Sequence, residues 1–153
     1  MTLWVDADGC PAAIKGLILR AAGRLKIMTV FAANKYISIP QSSYISSRRI
    51  GTNPEAVDMH ITESAQMGDI VVTQDIPLAA AFITKGVIVI STRGALFTKE
   101  NIGERLAIRN LLQNLRDEGN ITPGPKEFSQ KDGRRFAGTL DRVLTSLSKT
   151  ETT

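Results

Sequence analysis

Two apolar runs that lack polar alternation constrain the fold of this chain more than any other feature. Residues 69–73 read Asp-Ile-Val-Val-Thr, residues 87–90 read Val-Ile-Val-Ile, and a helical pattern from Ile76 to Lys85 separates them. Strands of this composition are buried on both faces, and strands joined by helices pair in parallel. We therefore expect an α/β protein whose mainly parallel sheet is covered by helices.

The same alternation of strand and helix precedes these runs. A short strand at 3–5 is followed by a helix from Pro11 to Gly23, because proline suits the first helical position, and residues 26–32 predict a second strand. Residues 36–50 predict a loop or a short strand, and a helical pattern then runs from Asn53 to Gly68. The sequence thus predicts repeated strand–helix units in its first half.

The second half has a different, mainly helical pattern. Apolar residues recur at helical spacing from Ile102 to Leu115 and stop at Gly119. A turn at 122–125 and a basic loop at 126–135 then lead to a helix around 136–147.

Together these patterns predict a three-layer sandwich in one domain over residues 1–148. The sheet core would occupy 1–92, the C-terminal helices 98–148, and a frayed tail 149–153. The 153 residues are 42% hydrophobic and 22% charged, which is typical of a globular domain. No apolar run approaches the roughly 20 residues of a membrane span, so we expect a cytoplasmic protein with no membrane partner.

Cysteine and histidine content excludes several kinds of site. Cys10 and His60 are the only residues of their types, so an intrachain disulfide and a four-ligand Cys or Cys/His zinc site are ruled out. We expect His60 to be structural or exposed. The oligomeric state is left open by the sequence.

The net charge of +4 comes from the second half of the chain. Residues 1–75 carry seven basic and seven acidic side chains, whereas residues 76–153 carry twelve and eight. Such an excess permits binding to phosphate groups, although a solvated basic helix surface is its more common cause.

Acidic residues gather beside the predicted strands. Asp6 and Asp8 follow the first strand, Asp69 opens a buried strand and Asp75 follows it, and Asp58 lies on the helix between. Ligands of open α/β sheets bind at the carboxyl ends of the strands. Neighbouring carboxylates repel one another, and a hard divalent cation relieves that repulsion, so all five are candidate ligands of Mg²⁺ or Mn²⁺.

Three of these carboxylates also have a structural interpretation, whereas Asp6, directly after an apolar strand, needs a partner if it is buried. Asp75 or Asp8 would accept N–H groups as the N-cap of the helix that follows it, and Asp58 would lie on a solvated helix face.

Anion-binding groups form a second set of candidates. The Gly9-Cys10-Pro11 loop and the helix after it would bind a phosphate or stabilise a Cys10 thiolate, although a lone cysteine is more often a small buried side chain. The basic and polar candidates for phosphate or nucleic-acid contacts are Lys15, Asn34, Arg48, Arg93, Arg134 and Arg135, with Lys35, Arg49, Lys126 and Lys131 also available.

Two long motifs resemble a known family. Val5-Asp6-Ala7-Asp8-Gly9-Cys10-Pro11 and the segment 68–79, together with Arg93-Gly94 and 132–140, are similar to the YaiI/YqxD family of bacterial proteins over nearly the whole chain. That family resembles the PIN-like (PIN/NYN) nuclease superfamily, so the resemblance implies a PIN-like fold.

The resemblance also implies a site. Asp6 matches the acid after the first strand, Asp58 the helix acid of the NYN branch, and Asp75 the Thr-x-Asp signature; Asp8 and Asp69 are additional ligands or supporting groups. It implies a Mg²⁺- or Mn²⁺-dependent nuclease of RNA or single-stranded nucleic acid in which Asp6, Asp58 and Asp75 are catalytic. The second acid of the last PIN-like motif is absent, because Asp75 is followed by Ile76 and Pro77.

Two other functions stay open. Asp6-Ala7-Asp8-Gly9 is similar to the nucleophile motif of haloacid-dehalogenase-like phosphatases, in which Asp6 would be phosphorylated and Asp8 would be the acid/base. Alternatively, the chain is a non-catalytic module of PIN-like fold that binds a metal or RNA.

Overall fold

A six-stranded sheet with helices on both faces forms the part of the chain that the computed structural model describes, residues 1–51, 53–122 and 127–151. The strands are β1 Thr2–Asp6, β2 Met28–Ala33, β3 Ile45–Arg49, β4 Ile70–Val72, β5 Ile88–Ile90 and β6 Leu96–Phe97. The helices are α1 Ala12–Leu25, α2 Pro54–Ser64, α3 Ile76–Thr84, α4 Ile102–Asp117 and α5 Gln130–Glu151, and a 3₁₀ turn covers Ala7–Gly9. The predicted α/β class with a mainly parallel sheet is confirmed.

The strand order is β3-β2-β1-β4-β5-β6, and only the last pair is antiparallel. From β1 the chain builds outward through β2 to β3, then crosses back to add β4, β5 and β6 on the other side of β1. The direction of winding therefore reverses between β1 and β4. In sheets of this kind the crevice outside the carboxyl ends of the strands at the reversal is the usual ligand site.

Side-chain alternation along β1 divides the core between the two faces of the sheet. Leu3 and Val5 pack with α1 and α5, and Trp4 packs on the opposite face with α2 and α3. The helix residues on the Leu3 side include Ile14, Ile18, Phe136, Leu140 and Leu144, and those on the Trp4 side include Val57, Ile61, Ala79, Phe82 and Ile83. Asp6, two residues after Trp4, therefore belongs to the α2 side.

Polar side chains fix where α2 and α3 begin. The Oδ1 atom of Asn53 accepts the N–H of Glu55 at 2.9 Å, and Oδ1 of Asp75 accepts the N–H of Leu78 at 3.0 Å. Both are N-caps, since the first N–H groups of a helix have no intrahelical partner. Pro11 precedes α1 as its N-cap residue, one position before the first helical position predicted for it.

The C-terminal part departs most from the sequence prediction. The sequence patterns did not predict β6, and α5 begins at Gln130, so most of the basic loop predicted at 126–135 is helical. Ser129 and Asp132 explain the early start: Ser129 Oγ accepts the N–H of Asp132 at 3.3 Å, and Asp132 accepts the N–H of Ser129 at 3.0 Å. Of the predicted turn at 122–125 only Thr122 is described; residues 123–126 lie outside the described residues. α5 continues to Glu151, through part of the predicted tail, and residues 152–153 lie outside the described residues.

Gly94 brings α5 against the sheet. Its φ is +87°, and a Cβ atom there would lie 2.6 Å from the carbonyl carbon of Arg135. The Thr139 hydroxyl donates to the Gly94 carbonyl at 2.7 Å, and Arg93 pairs with Asp132 at 3.1 Å. The Arg93-Gly94 motif thus docks the N-terminal half of α5.

None of the helices in the described residues is both long enough and apolar enough to cross a membrane.

Candidate functional site

Four carboxylates lie around the carboxyl ends of β1 and β4, and we refer to Asp6, Asp8, Asp58 and Asp75 as the acidic cluster. Asp6 ends β1, Asp8 lies in the 3₁₀ turn after it, Asp75 caps α3 after β4, and Asp58 comes from α2. The charges of Asp6 and Asp75 both act on Asp58, and those of Asp8 and Asp75 both act on Asp6. The structure therefore brings together four of the five acids predicted from the sequence, at the reversal of the sheet.

Asp6 is held by a hydroxyl group from the neighbouring strand. Thr73, which is fully buried, donates from Oγ1 to Oδ2 of Asp6 at 3.0 Å and accepts the N–H of Asp75 with the same oxygen at 3.1 Å. Burial raises the pKa of Asp6, the Thr73 hydrogen bond opposes that rise, and the charges of Asp8 and Asp75 add to it. Thr73 thus ties the ends of β1 and β4 together. Sequence reasoning assigned no role to its hydroxyl.

Asp58 carries the largest pKa change among the carboxylates of the acidic cluster. Its pKa rises to about 6, first because of burial and then because of the charges of Asp6 and Asp75, a hydrogen-bonding contact with the Asp75 carboxyl and the charge of Glu55. No lysine or arginine is among the causes that shift the pKa of Asp6 or Asp58. The side-chain charges that shift the pKa of these two carboxyl groups are thus all negative.

Asp8 has a different role from the helix cap considered for it. Both of its oxygens accept the N–H of Asn34, at 3.1 and 2.9 Å, so it links the turn after β1 to the end of β2. The Asn34 amide in turn donates to the carbonyls of Ile50 and Asn53, at 3.0 and 2.9 Å. Asn34 therefore positions Asp8 and the start of α2, and its side chain is engaged in these bonds rather than facing a phosphate.

Asp69 does not join the acidic cluster. It precedes β4 at the amino end of the sheet, where it accepts the N–H of Thr2 at 2.9 Å, the N–H of Gln66 at 2.9 Å and the indole N–H of Trp4 at 3.2 Å. The length of β1 separates that end from Asp6 by about 13 Å, since a strand rises about 3.3 Å per residue. The structure therefore corrects the inclusion of Asp69 among the metal ligands: it is a buried structural carboxylate.

The acidic cluster offers only carboxylate oxygens, which are the type of ligand that a hard cation binds. As placed, no three His, Cys, Asp or Glu side chains of the described ranges lie close enough together to hold a metal ion. Ligation by Asp6, Asp58 and Asp75 would therefore require their side chains to rotate toward one another. Carboxylate oxygens are nonetheless the ligands that Mg²⁺ and Mn²⁺ prefer.

Cys10 and His60 take structural places. Burial and the charge of Asp6 raise the pKa of the Cys10 thiol to about 12, so the thiolate considered for this position is disfavoured, and the side chain packs against the core. The ring of His60 meets Trp4 edge-on at a centroid distance of 6.2 Å, and its Nε2 lies 3.1 Å from Nη1 of Arg48. These contacts anchor α2, which carries Asp58.

The predicted phosphate-binding residues are spread over several parts of the structure, and Arg48 and Arg93 already contact other side chains. Arg48 stacks over Trp4 at 5.5 Å, and Arg93 pairs with Asp132. Arg134 and Arg135 are on α5, and Arg134 faces α1 across a separate groove. Lys15 lies near the N-terminal end of α1, close enough to Cys10 for its charge to act on the thiol.

The sequence prediction missed a row of arginines on α4. Arg105, Arg109 and Arg116 line a groove of about 1040 Å³ whose other wall includes Gly9, Pro11, Gln74 and Ile76. The spacing of four and seven residues places the three arginines on one helix face and was a readable signal. This groove lies beside the acidic cluster, because its wall residues flank Asp8 and Asp75 in the chain.

The fold and the acidic cluster define an open α/β protein with four carboxylates at the strand ends where the winding of its sheet reverses. The chain belongs to the YaiI/YqxD family: the sequence model described as "Uncharacterized BCR, YaiI/YqxD family" matches residues 4–146. The predicted family membership is confirmed.

Curated relatives match the chain over almost its full length. It is 56% identical over 149 residues to a "UPF0178 protein" of Syntrophobacter fumaroxidans, covering 97% of each chain. It is 51% identical over 151 residues to a "UPF0178 protein" of Myxococcus xanthus, covering 99% of each, and 49% identical over 144 residues to one of Marinobacter nauticus, covering 94% of this chain and 96% of the relative. No solved structure matches the chain significantly.

Proposed function

We propose that this protein is a Mg²⁺- or Mn²⁺-dependent phosphodiesterase that cleaves RNA or single-stranded nucleic acid. One observation carries the proposal: Asp6, Asp58 and Asp75 come from three separate elements to the strand ends where the winding of the sheet reverses, and the negative charges of Asp6 and Asp75 raise the pKa of Asp58. The resemblance of the family to PIN-like nucleases supports the same assignment.

Each carboxylate has a distinct part in the proposal. Asp6, Asp58 and Asp75 would hold the cation, and Thr73 orients Asp6 for that purpose. The bound cation would supply the Lewis acid that activates water and stabilises the leaving oxygen. Asp8, which Asn34 holds at the rim of the acidic cluster, would add negative charge without being required as a ligand.

The pKa of Asp58 sets the pH range in which the proposed site is competent. Because its pKa is about 6, the carboxyl is ionised above neutral pH and protonated in mild acid. A proton on Asp58 competes with a cation for the same oxygens. We expect metal affinity to be highest above pH 7 and to fall as the pH drops through 6.

Calorimetric titration with Mn²⁺ and Mg²⁺, followed by a cleavage assay on single-stranded RNA and DNA, tests the proposal. The wild type should bind the metal and cut in a manner that EDTA abolishes, and the Asp6→Asn/Asp75→Asn double variant should do neither. An asparagine in place of Asp75 retains a capping oxygen, so α3 should survive the change. The matched control is Asp141→Asn, an exposed carboxylate on α5.

Two results would contradict the proposal. Cleavage that persists in the double variant after identical purification would remove the acidic cluster from the reaction. Metal-dependent binding of nucleic acid that leaves it intact would identify the non-catalytic module instead, and an aspartyl-phosphate analogue trapped on Asp6 would favour the phosphatase.

A further inference from the structure

α4 is an unusual helix for a protein of this size. It has 16 residues, none of them buried, and Ile108 and Leu111 are 51% and 58% exposed. Helices that contribute only to a fold bury an apolar stripe against it. A helix that leaves apolar side chains uncovered beside a large groove points to a role other than core packing.

The groove along α4 carries strong positive charge on one wall. Arg105, Arg109 and Arg116 line it from α4, Arg93 lines it from the loop after β5, and Glu104 is the one acidic side chain among the described residues of its lining. Each α4 arginine has one other contact: Arg105 lies over the Phe97 ring at 5.5 Å, Arg109 donates to Asn110 at 3.1 Å, and Arg116 donates to Thr122 at 2.9 Å. At a rise of about 1.5 Å per residue, the three arginines span about 16 Å along the helix. Such a row matches a ligand with anionic groups repeated along its length rather than one compact anion.

Apolar side chains line the same groove as the arginines. Ile108 and Leu112 line the groove from α4, and Ile76 lines it from the start of α3, directly after Asp75. The groove therefore offers both cationic and apolar contacts. A double helix presents its phosphates outward and hides its base faces, whereas a single strand exposes both phosphates and bases.

We propose that the α4 groove binds single-stranded nucleic acid, with its phosphates on Arg105, Arg109 and Arg116 and its bases against Ile76, Ile108 and Leu112. This inference rests on the proposed function, since it supplies the path by which a strand reaches the acidic cluster. It replaces the phosphate contacts predicted at Arg134 and Arg135 with contacts on α4.

The test measures binding in the absence of cleavage. Fluorescence anisotropy with a labelled 12-nucleotide oligouridine and a labelled RNA duplex of equal length is recorded in EDTA for the wild type, Arg109→Glu and Arg134→Glu. The two variants make the same change of charge at helical positions, but only Arg109 lines the α4 groove. Thermal unfolding of both variants confirms that each remains folded.

We expect the wild type to bind the single strand more tightly than the duplex. Arg109→Glu should weaken that binding about tenfold or more and reduce its dependence on salt, whereas Arg134→Glu should change it less than about twofold. Leu112→Gln tests the proposed contacts between the bases and the apolar side chains of the groove. It should weaken binding of the single strand without altering the salt dependence.

Each contrary outcome identifies what fails. Equal effects of Arg109→Glu and Arg134→Glu, or no binding of either probe by the wild type, would overturn the α4 groove as the binding site. Equal or tighter binding of the duplex would overturn the preference for a single strand. Because these measurements contain no metal, the proposed cleavage is judged separately by the metal-dependent assay.

Discussion

Removing the charge of Asp58 should stabilise the metal-free protein, although the substitution lies in the candidate site. The pKa of Asp58 rises from 3.8 to about 6, so its ionised form is less favourable in the folded chain than in the unfolded chain. Two pKa units correspond to about 3 kcal/mol at neutral pH. Because Asp58 is only partly buried, solvent screening reduces the expected gain for Asp58→Asn to about 1 kcal/mol.

The stability gained by Asp58→Asn depends on pH. A folded-state pKa above the unfolded value means that the folded chain binds more protons, so stability falls as the pH rises from about 4 through 6. At pH 7.5 the variant should show its full gain in the free energy of unfolding, and at pH 4.5 about a third of it. Urea unfolding in EDTA at both pH values measures the difference, with Glu63→Gln as the control on the same helix.

Adding Mn²⁺ should reverse the order of stability. The cation would bind the folded state and thereby stabilise the wild type, and Asp58→Asn would lose most of that stabilisation. A variant less stable than the wild type in EDTA at pH 7.5, or a gain independent of pH, would refute the claim that repulsion and burial strain this carboxylate.

Three further substitutions test the surrounding structure. Thr73→Val should weaken Mn²⁺ affinity about tenfold and lower the free energy of unfolding in urea by about 1 to 3 kcal/mol, because Asp6 loses its hydrogen bond. Thr73→Ser keeps the hydroxyl and should retain both the affinity and the stability. If it does not, the hydroxyl is not the cause. Gly94→Ala should destabilise the fold by about 3 kcal/mol, since a Cβ atom would lie 2.6 Å from Arg135 at a φ of +87°, and a loss below about 0.5 kcal/mol would contradict that contact. Asp69→Asn should cost about 1 to 3 kcal/mol but leave Mn²⁺ binding unchanged in calorimetry; loss of binding with an intact fold would return Asp69 to the site.

The local patterns of the sequence were sufficient for the central parallel strands of the sheet and for the proximity of Asp6 and Asp75. Strands with no polar alternation must be buried on both faces, and parallel strands align their carboxyl ends at one edge of the sheet. Asp6 and Asp75 each follow such a strand, so their proximity followed once β1 and β4 were taken as neighbours. Asp58 was added only because the sequence was taken to resemble PIN-like proteins. Its helix pattern alone was as consistent with a solvated helix face.

Residues that act through distant contacts escaped the prediction. Thr73 reads as an ordinary strand residue, yet its hydroxyl joins Asp6 to the backbone of Asp75. The arginines of α4 share a helix face that the sequence reveals, but only the docked position of the helix turns that face toward the groove. The capping pair Ser129 and Asp132 was visible as a motif, and overlooking it placed the start of α5 too late.

Short-range periodicity and motifs were enough to establish the class of fold, the family and the identity of the acids at the ends of β1 and β4. Which charges meet depends instead on how the strands and helices are arranged in space. Asp69 lies three residues before Val72 in the chain but at the opposite end of the sheet from Asp6, whereas Asp58 reaches the acidic cluster from another element. Strand order and helix docking set those distances, and electrostatic coupling depends on distance through space rather than on separation along the chain.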